Sequence, residues 1–148
     1  MKNFLRLLMA IAIIATLGLV AHADQHIDSA QLPATAKVLI SKHYANTAVR
    51  ECEKEGGKYE VELRNGVDLE FTSDGKLLKI DAGSKKVPVS LLKEILPVNA
   101  VKELESRKSL DNVEEVEIRN ASIKVELHKL FNDELRFDTQ GNLLSTGE

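Results

Sequence analysis

The feature that most constrains the fold is a stretch of alternating apolar and charged residues broken by two tight turns. It covers residues 58–80 and reads KYEVELRNGVDLEFTSDGKLLKI. Alternation with a period of two is typical of a strand with one buried face and one solvent face. Asn65-Gly66 predicts a type I′ hairpin turn, because both residues tolerate positive φ, and Ser73-Asp74-Gly75 predicts a second turn. The stretch therefore predicts three antiparallel strands with an apolar face and an acidic face.

A weaker copy of this unit occurs nearer the C-terminus. A shift of 64 positions aligns about 35 residues without a gap, placing Leu32-Pro33 on Leu96-Pro97 and Val61 on Val125. Beyond the first long strand the shift becomes 66, and Gly75 then falls on Gly141. Residue types agree where burial would demand it, which indicates two copies of one supersecondary unit.

Each unit is predicted to be one amphipathic helix followed by four strands. The helices are expected over residues 34–44 and 98–106, and Val61 and Val125 are expected to be buried beneath them. The strands are expected near 47–55, 58–64, 67–72 and 76–81, and again near 112–119, 122–130, 133–138 and 142–146. The fold class is thus α+β, a tandem repeat of a helix plus a four-stranded antiparallel meander. Whether the two sheets join edge to edge stays open.

The domain boundaries follow from these units. Residues 1–23 form a signal peptide, residues 24–31 a flexible tail, residues 32–81 repeat 1 and residues 96–148 repeat 2. Residues 82–95 are predicted to be a linker with a short helical turn. Pro97 separates that turn from the second helix.

The first 23 residues have the composition of a cleavable signal peptide. Lys2 and Arg6 precede an apolar run, and Ala21-His22-Ala23 is a small-x-small cleavage site that predicts a mature chain starting at Asp24. Cleavage takes the basic residues from 20 to 18 against 23 acidic ones, a net charge of about −5. An acidic exported protein is a poor candidate for binding nucleic acid. The predicted location is the periplasm or the exterior of the cell, with no membrane insertion after cleavage.

The quoted motifs resemble those of the PepSY-like, beta-lactamase-inhibitor-like periplasmic proteins. The resemblance rests on Leu-Pro at a helix start, YEVEL, Asn-Gly, the acidic-apolar LEF and a DG turn, repeated behind a signal peptide. It covers about residues 32–144. The resemblance implies a helix-plus-four-stranded-sheet unit used twice, as in beta-lactamase inhibitor proteins. It also implies export and a non-catalytic role in binding or inhibiting a protein, and it supplies no catalytic residues.

Candidate binding residues lie on the charged strand faces. In repeat 1 these are Glu60, Glu62, Asp68 and Glu70, with Arg64 nearby; in repeat 2 they are Lys124, Glu126 and His128. One interpretation is a platform that meets a protein or peptide partner, and a calcium- or cation-responsive face is the alternative. The residues favour a third interpretation, an ordinary solvated face whose charges prevent aggregation. Phe131 is a further candidate, because an apolar residue on a loop can anchor a partner or fold under the sheet edge.

The residues give little support for catalysis, a cofactor or a metal centre. No HExxH, GxSxG or P-loop sequence is present. His26 falls in the predicted tail, and His43 and His128 lack ligand spacing, so each of these two is expected to stand alone. Cys52 is the only cysteine and is interpreted as a packed strand residue rather than a nucleophile. The two predicted turns that end in Gly75 and Gly141 lack the oxygen-ligand series of an EF-hand and are interpreted as turns. The prediction is a binding protein that is not an enzyme, an inhibitor or modulator of another envelope or secreted protein.

Overall fold

The computed structural model describes residues 25–128 and 134–147, and within them nine strands form one antiparallel sheet in chain order. The strands are β1 (Gln25–His26), β2 (Val49–Glu55), β3 (Lys58–Leu63), β4 (Asp68–Phe71), β5 (Leu77–Asp81), β6 (Val113–Ile118), β7 (Ile123–Leu127), β8 (Glu134–Phe137) and β9 (Leu143–Gly147). The helices are α1 (Ala34–His43), α2 (Val89–Ile95) and α3 (Val98–Ser106). Short 3₁₀ turns lie at Ser29–Gln31, Gly83–Lys85 and Leu110–Asn112. The predicted α+β class is confirmed.

The two meanders join into one sheet because β5 pairs with β6. Ile80 lies opposite Val116, between the Lys79–Glu117 and Asp81–Glu115 pairs. The chain between these strands forms α2 and α3 and returns to the same edge, so the second meander continues the sheet of the first. The question that the sequence left open is thereby answered.

One face of the sheet forms the core. The register places seven apolar residues directly opposite one another across β2 to β8: Cys52, Val61, Leu69, Ile80, Val116, Val125 and Leu135. Val61 is 2% exposed and Val125 is fully buried, as the alternation predicts. Ala36 of α1, Leu92 of α2 and Leu104 of α3 belong to the same buried cluster. The helices therefore cover this face and leave the other one bare.

Both repeats share local irregularities that support a common origin. A β-bulge at Arg50 interrupts the β2–β3 pairing, and a bulge at Glu114 interrupts β6–β7 at the position 64 residues later. Further bulges at Leu78 and Leu144 occupy matching places within the last strand of each unit. Bulges redirect side chains and bend strands, so bulges at equivalent positions give the two repeats the same strand shape.

Two predictions about the backbone are wrong. Asn65 does not adopt positive φ, whereas Gly66 does at 81°. Leu63 O accepts from Gly66 N, and Leu63 N donates to Val67 O, so the loop has three residues and ends in a glycine bulge. This arrangement needs one left-handed residue rather than the two of a type I′ turn.

The second wrong prediction concerns residues 25–31, which were expected to be a flexible tail. Instead, β1 pairs with β2, and Ile27 N donates to Cys52 O at 3.0 Å. Asp28 then forms a capping box with Gln31 around a 3₁₀ turn. The sheet edge and the reciprocal cap hold a segment whose sequence shows no strand periodicity.

The glycine turns pack against the helix starts in both repeats. Thr35 donates to Asp74 O at 2.8 Å, and Asn99 donates to Gln140 O at 3.2 Å. A Cβ on Gly75 would lie 2.1 Å from Thr35 Oγ1, and one on Gly141 would lie 2.6 Å from Ala100 N. Each of these turns therefore packs against the start of a helix and holds that helix on the sheet. Both segments are turns, as interpreted from the sequence. No helix in the described ranges has the length and apolar character needed to cross a bilayer.

Gly75→Ala should destabilise the protein much more than Gly66→Ala. Both glycines have φ near +80°, so alanine meets backbone strain of about 1–2 kcal/mol at either position. Only at Gly75 does the new methyl also meet the helix, which adds about 1–3 kcal/mol of overpacking. Urea denaturation of the two variants measures the difference. Equal losses of stability would mean that the turn does not dock the helix.

Candidate functional site

The bare face of the sheet carries a row of carboxylates, which we term the acidic row. Cross-strand pairing places seven acidic residues directly opposite one another from β2 to β8: Glu51, Glu62, Asp68, Asp81, Glu115, Glu126 and Glu134. Strands lie about 4.8 Å apart, so the row extends roughly 29 Å. It runs unbroken through the β5–β6 junction and belongs to both repeats.

A second line of residues, the mixed row, runs parallel to the first. Its members are Glu53, Glu60, Glu70, Lys79, Glu117, Lys124 and Arg136. The three acids at its start come from β2, β3 and β4, whereas the cations come from β5, β7 and β8. The face is therefore most acidic in repeat 1 and mixed in repeat 2.

Cations from neighbouring positions offset part of the repulsion between these carboxylates. Like charges directly opposite in a sheet are destabilising. Lys124 Nζ lies 2.7 Å from Glu126, 3.3 Å from Glu115 and 3.6 Å from Glu117. The hydrogen bond to Glu126, followed by the field of Glu115, raises the pKa of Lys124 above its ordinary value.

In repeat 1 the ion pairs come from the rim of the face. Arg50 Nη1 lies 2.7 Å from Glu62, and Lys58 Nζ lies 2.5 Å from Glu70. Arg50 occupies the first bulge, which gives it a place beside the acidic row. These cations reduce the negative field at the margins and leave the centre acidic.

Several carboxylates surround Asp68. A shallow concavity of about 410 Å³ is lined by Glu51, Glu53, Glu60, Glu62, Asp68, Glu70, Lys79, Asp81 and the edges of Val61 and Leu69. Partial burial, then the carboxylates of Glu62 and Asp81, raises the pKa of Asp68, while Lys79 opposes the shift. A site of this kind favours a cation or a basic side chain over an anion.

The structure brings most of the sequence-predicted residues onto one face. Glu60, Glu62, Asp68 and Glu70 share it, and Lys124 and Glu126 lie on its continuation in repeat 2. Arg64 lies in the turn after β3, where its backbone N donates to Ala48 O. His128 follows β7 and bonds through Nδ1 to Glu114, at the margin of the face. Phe131 lies outside the described residues.

Sequence reasoning missed the acidic residues at the junction of the repeats. Asp81 and Glu115 continue the acidic row, and Lys79 and Glu117 continue the mixed row. Their alternation with Ile80 and Val116 signals which face each occupies. It gives no sign that β5 and β6 are neighbours.

Two histidines have partners that the sequence did not reveal. His43 Nε2 lies 2.7 Å from Glu94 and Nδ1 lies 3.1 Å from Ser90, so this nearly buried ring links α1 to α2. Lys42 also contacts Glu94, and these hydrogen bonds lower the pKa of that carboxyl. His26 lies beside Glu51 and Glu53 at the β1 edge of the sheet. The expectation that His43 and His128 stand alone is wrong, because His43 contacts Glu94 and His128 contacts Glu114.

Cys52 is a packed strand residue, as interpreted from the sequence. Its thiol is free and buried. Burial, followed by the nearby Asp28 carboxylate, raises the pKa of the thiol. A raised pKa disfavours the thiolate, which is the nucleophilic form.

Comparison with known proteins identifies relatives of the whole unit. A family model described as "Putative beta-lactamase-inhibitor-like, PepSY-like" matches the chain twice, over residues 19–79 and 80–145. The family model thus matches two successive units of this chain. No curated protein matches the chain.

Solved structures with the same fold come from Bacteroides. One from Bacteroides thetaiotaomicron, described as "a putative calcium-regulated periplasmic protein", is 25% identical over 84% of this chain and 97% of its own, with a TM-score of 0.72. A protein from Bacteroides vulgatus, described as "a putative periplasmic protein from DUF2874 family", is 26% identical over 86% of this chain and 99% of its own, with a TM-score of 0.74. A second from that species is 26% identical over 84% and 99%, with a TM-score of 0.72. These structural neighbours are thus described as periplasmic proteins.

Asp68→Asn should stabilise the protein at neutral pH. The pKa of Asp68 is raised in the folded state, so its ionisation opposes folding as the pH rises through that pKa. Removing the charge should add about 0.2–1 kcal/mol at pH 7, the range for cross-strand charge pairs. The gain should vanish at pH 3, below the ordinary pKa of 3.8, where both chains are neutral at this position.

Thermal unfolding at the two pH values measures this effect. Glu55→Gln is the matched control, because it removes one negative charge from the exposed end of β2, off both rows. An equal gain in the control would assign the effect to net charge. A loss of stability in Asp68→Asn at pH 7 would contradict the account of the acidic row.

Proposed function

Because the chain belongs to the PepSY-like, beta-lactamase-inhibitor-like family, we propose that it is an exported, non-catalytic binding protein. It holds a protein or peptide partner on the bare sheet face and acts as an inhibitor or modulator of that envelope or secreted protein. The predicted signal peptide and the periplasmic relatives support export.

The observation that carries this proposal is the acidic row. The helices cover one face of the sheet, and the opposite face offers a line of carboxylates roughly 29 Å long. An extended peptide rises about 3.3 Å per residue, so eight or nine residues would span it. The partner suited to this surface presents a basic segment, whose charges complement the carboxylates.

Repeat 1 is the proposed centre of binding. Its concavity around Asp68 has many acids and one lysine in its lining, whereas Lys124 and Arg136 occupy the corresponding face of repeat 2. A basic side chain entering the concavity would relieve the repulsion around Asp68. Binding should therefore weaken as salt screens the interaction, over a Debye length of about 8–10 Å at physiological ionic strength.

Affinity capture from a periplasmic extract tests the proposal. Three forms of the chain serve as bait: the unaltered chain, a face variant and a control. The face variant carries Glu60→Lys, Glu62→Lys and Glu70→Lys together. The matched control carries Glu55→Lys, Glu105→Lys and Asp111→Lys, the same change in net charge at exposed positions outside both rows. The unaltered chain and the control should retain one saturable partner that the face variant loses.

The outcome depends on the variants remaining folded, which their thermal transitions establish. The recovered partner should bind less tightly in 0.5 M than in 0.1 M salt. Retention of the partner by the folded face variant, or equal loss from the control, would contradict the proposal.

A calcium-responsive role is the second candidate, favoured by the description of the Bacteroides thetaiotaomicron relative. Calcium takes six to eight oxygen ligands, and the acidic row presents carboxylates from adjacent strands. Asp68, Glu62 and Asp81 are the residues proposed to meet the ion, since they surround the concavity.

Calorimetry with calcium at physiological salt tests this second role. A calcium-responsive protein should show saturable heat and a higher melting temperature, and Asp68→Asn should lose both. The absence of heat and of any melting shift would rule out the calcium role and leave the protein-binding proposal standing.

A further inference from the structure

We propose that the side chains of His26, Glu51 and Glu53 form a Zn(II) site that joins β1 to β2. Each side chain offers one ligand atom, and these three atoms lie within 4.8 Å of one another. The histidine belongs to the edge strand and both glutamates to its neighbour, so an ion bound there bridges two strands. The site shares no residue with the proposed calcium ligands and requires no protein partner.

The alternation of β2 and the register of β1 bring the three side chains together. Glu51 and Glu53 are two residues apart on one strand, so they project from the same face. His26 lies directly opposite Glu53. Its Nε2 lies 2.8 Å from Glu51 Oε1 and 3.6 Å from Glu53 Oε1. Tetrahedral Zn(II) ligands at about 2.0–2.2 Å from the ion lie about 3.4 Å from one another, so small side-chain rotations would admit the metal.

Repeat 2 shows how the equivalent pair of glutamates is neutralised. Glu115 and Glu117 lie 64 residues after the two glutamates of the proposed site. Lys79 of β5 places its Nζ 3.4 Å from Glu115 Oε2. Lys124 of β7 places its Nζ 3.3 Å from Glu115 and 3.6 Å from Glu117. Two ammonium groups, one from each flanking strand, therefore balance two carboxylates.

Repeat 1 has neither lysine at the corresponding positions. His26 takes the place of Lys79, because each lies opposite the second glutamate of its pair. Glu60 takes the place of Lys124, because each pairs with that same glutamate from the following strand. Repeat 1 thus gathers three carboxylates and one imidazole where repeat 2 has two carboxylates and two ammonium groups. A divalent cation would supply the positive charge that the lysines supply in repeat 2, and an imidazole can bind it.

The combination of one nitrogen and two oxygens selects the kind of metal. Zn(II) binds histidine nitrogen and carboxylate oxygen, whereas Ca(II) and Mg(II) take oxygen ligands. The side chains of His26, Glu51 and Glu53 are 70%, 37% and 30% exposed, so an ion can enter and water can complete its coordination. Binding needs the lone pair of Nε2, and a proton on that atom passes to Nδ1 or to solvent. No electron is transferred.

Calorimetry with zinc chloride, in an excess of calcium and at physiological salt, tests the site in the purified chain. The unaltered chain should bind one equivalent of Zn(II). His26→Lys should abolish binding, because it puts the lysine of repeat 2 in place of a ligand. Glu51→Gln should weaken binding by more than about 100-fold, beyond the range of an outer-partner loss. Glu55→Gln, the matched control, removes one charge from the same strand outside the cluster and should leave the affinity unchanged.

Amide hydrogen exchange at Ile27 tests whether the ion bridges the strands. Ile27 N donates to Cys52 O at 3.0 Å, and local opening of β1 would separate His26 from both glutamates. An ion that binds only the closed strand slows exchange through this opening, by about 100-fold at 100 times its dissociation constant. His26→Lys should show no such slowing.

Thermal transitions establish that the variants are folded, since the altered side chains are all at least partly exposed. The proposal would be overturned by an absence of saturable Zn(II) binding, or by equal affinity in His26→Lys. Equal losses in Glu55→Gln and Glu51→Gln would assign the binding to general charge attraction and overturn it too. Zn(II) binding without slower exchange at Ile27 would contradict the bridge between the strands.

Discussion

The pairing of β5 with β6 is the interaction on which the rest of the structure depends. From its helix to its last strand, each repeat has about 50 residues, a size at which a single core rarely supplies enough stability. Joining the strands through Ile80 and Val116, both fully buried, gives the two repeats one core. The junction also places α2 beside α1, where His43 and Lys42 contact Glu94. The two repeats therefore form a single unit with one core rather than two linked modules.

The same register determines both faces of the sheet. The apolar row contains Val61 and Val125, and the neighbouring positions on each strand supply the acidic row on the opposite face. A slip of one residue at any strand would exchange these sets and bury carboxylates. Burial of the apolar row thus holds the carboxylates opposite one another despite their repulsion. The proposed binding surface is in this sense a consequence of the core.

Sequence periodicity predicted the local structure well and the long-range structure poorly. The helix of repeat 2 was predicted over residues 98–106, and α3 lies at Val98–Ser106, because apolar spacing and Pro97 define its start. The sharing of one face by Glu60, Glu62, Asp68 and Glu70 was predictable from alternation and a hairpin. The β5–β6 junction was not, since pairing between strands more than 30 residues apart depends on how the intervening helices pack. Residues 25–31 were mispredicted for the same reason, because a distant strand supplies their hydrogen bonds.

Native-state amide hydrogen exchange across the β5–β6 junction tests the single-sheet account most directly. Exchange free energies distinguish local opening from global unfolding. The account predicts that amides in Leu77–Asp81 and Val113–Ile118 exchange only with global unfolding, as slowly as those of β3 and β7. Fast exchange at the junction, with protection retained separately within each repeat, would show that the two halves are independent and contradict the account.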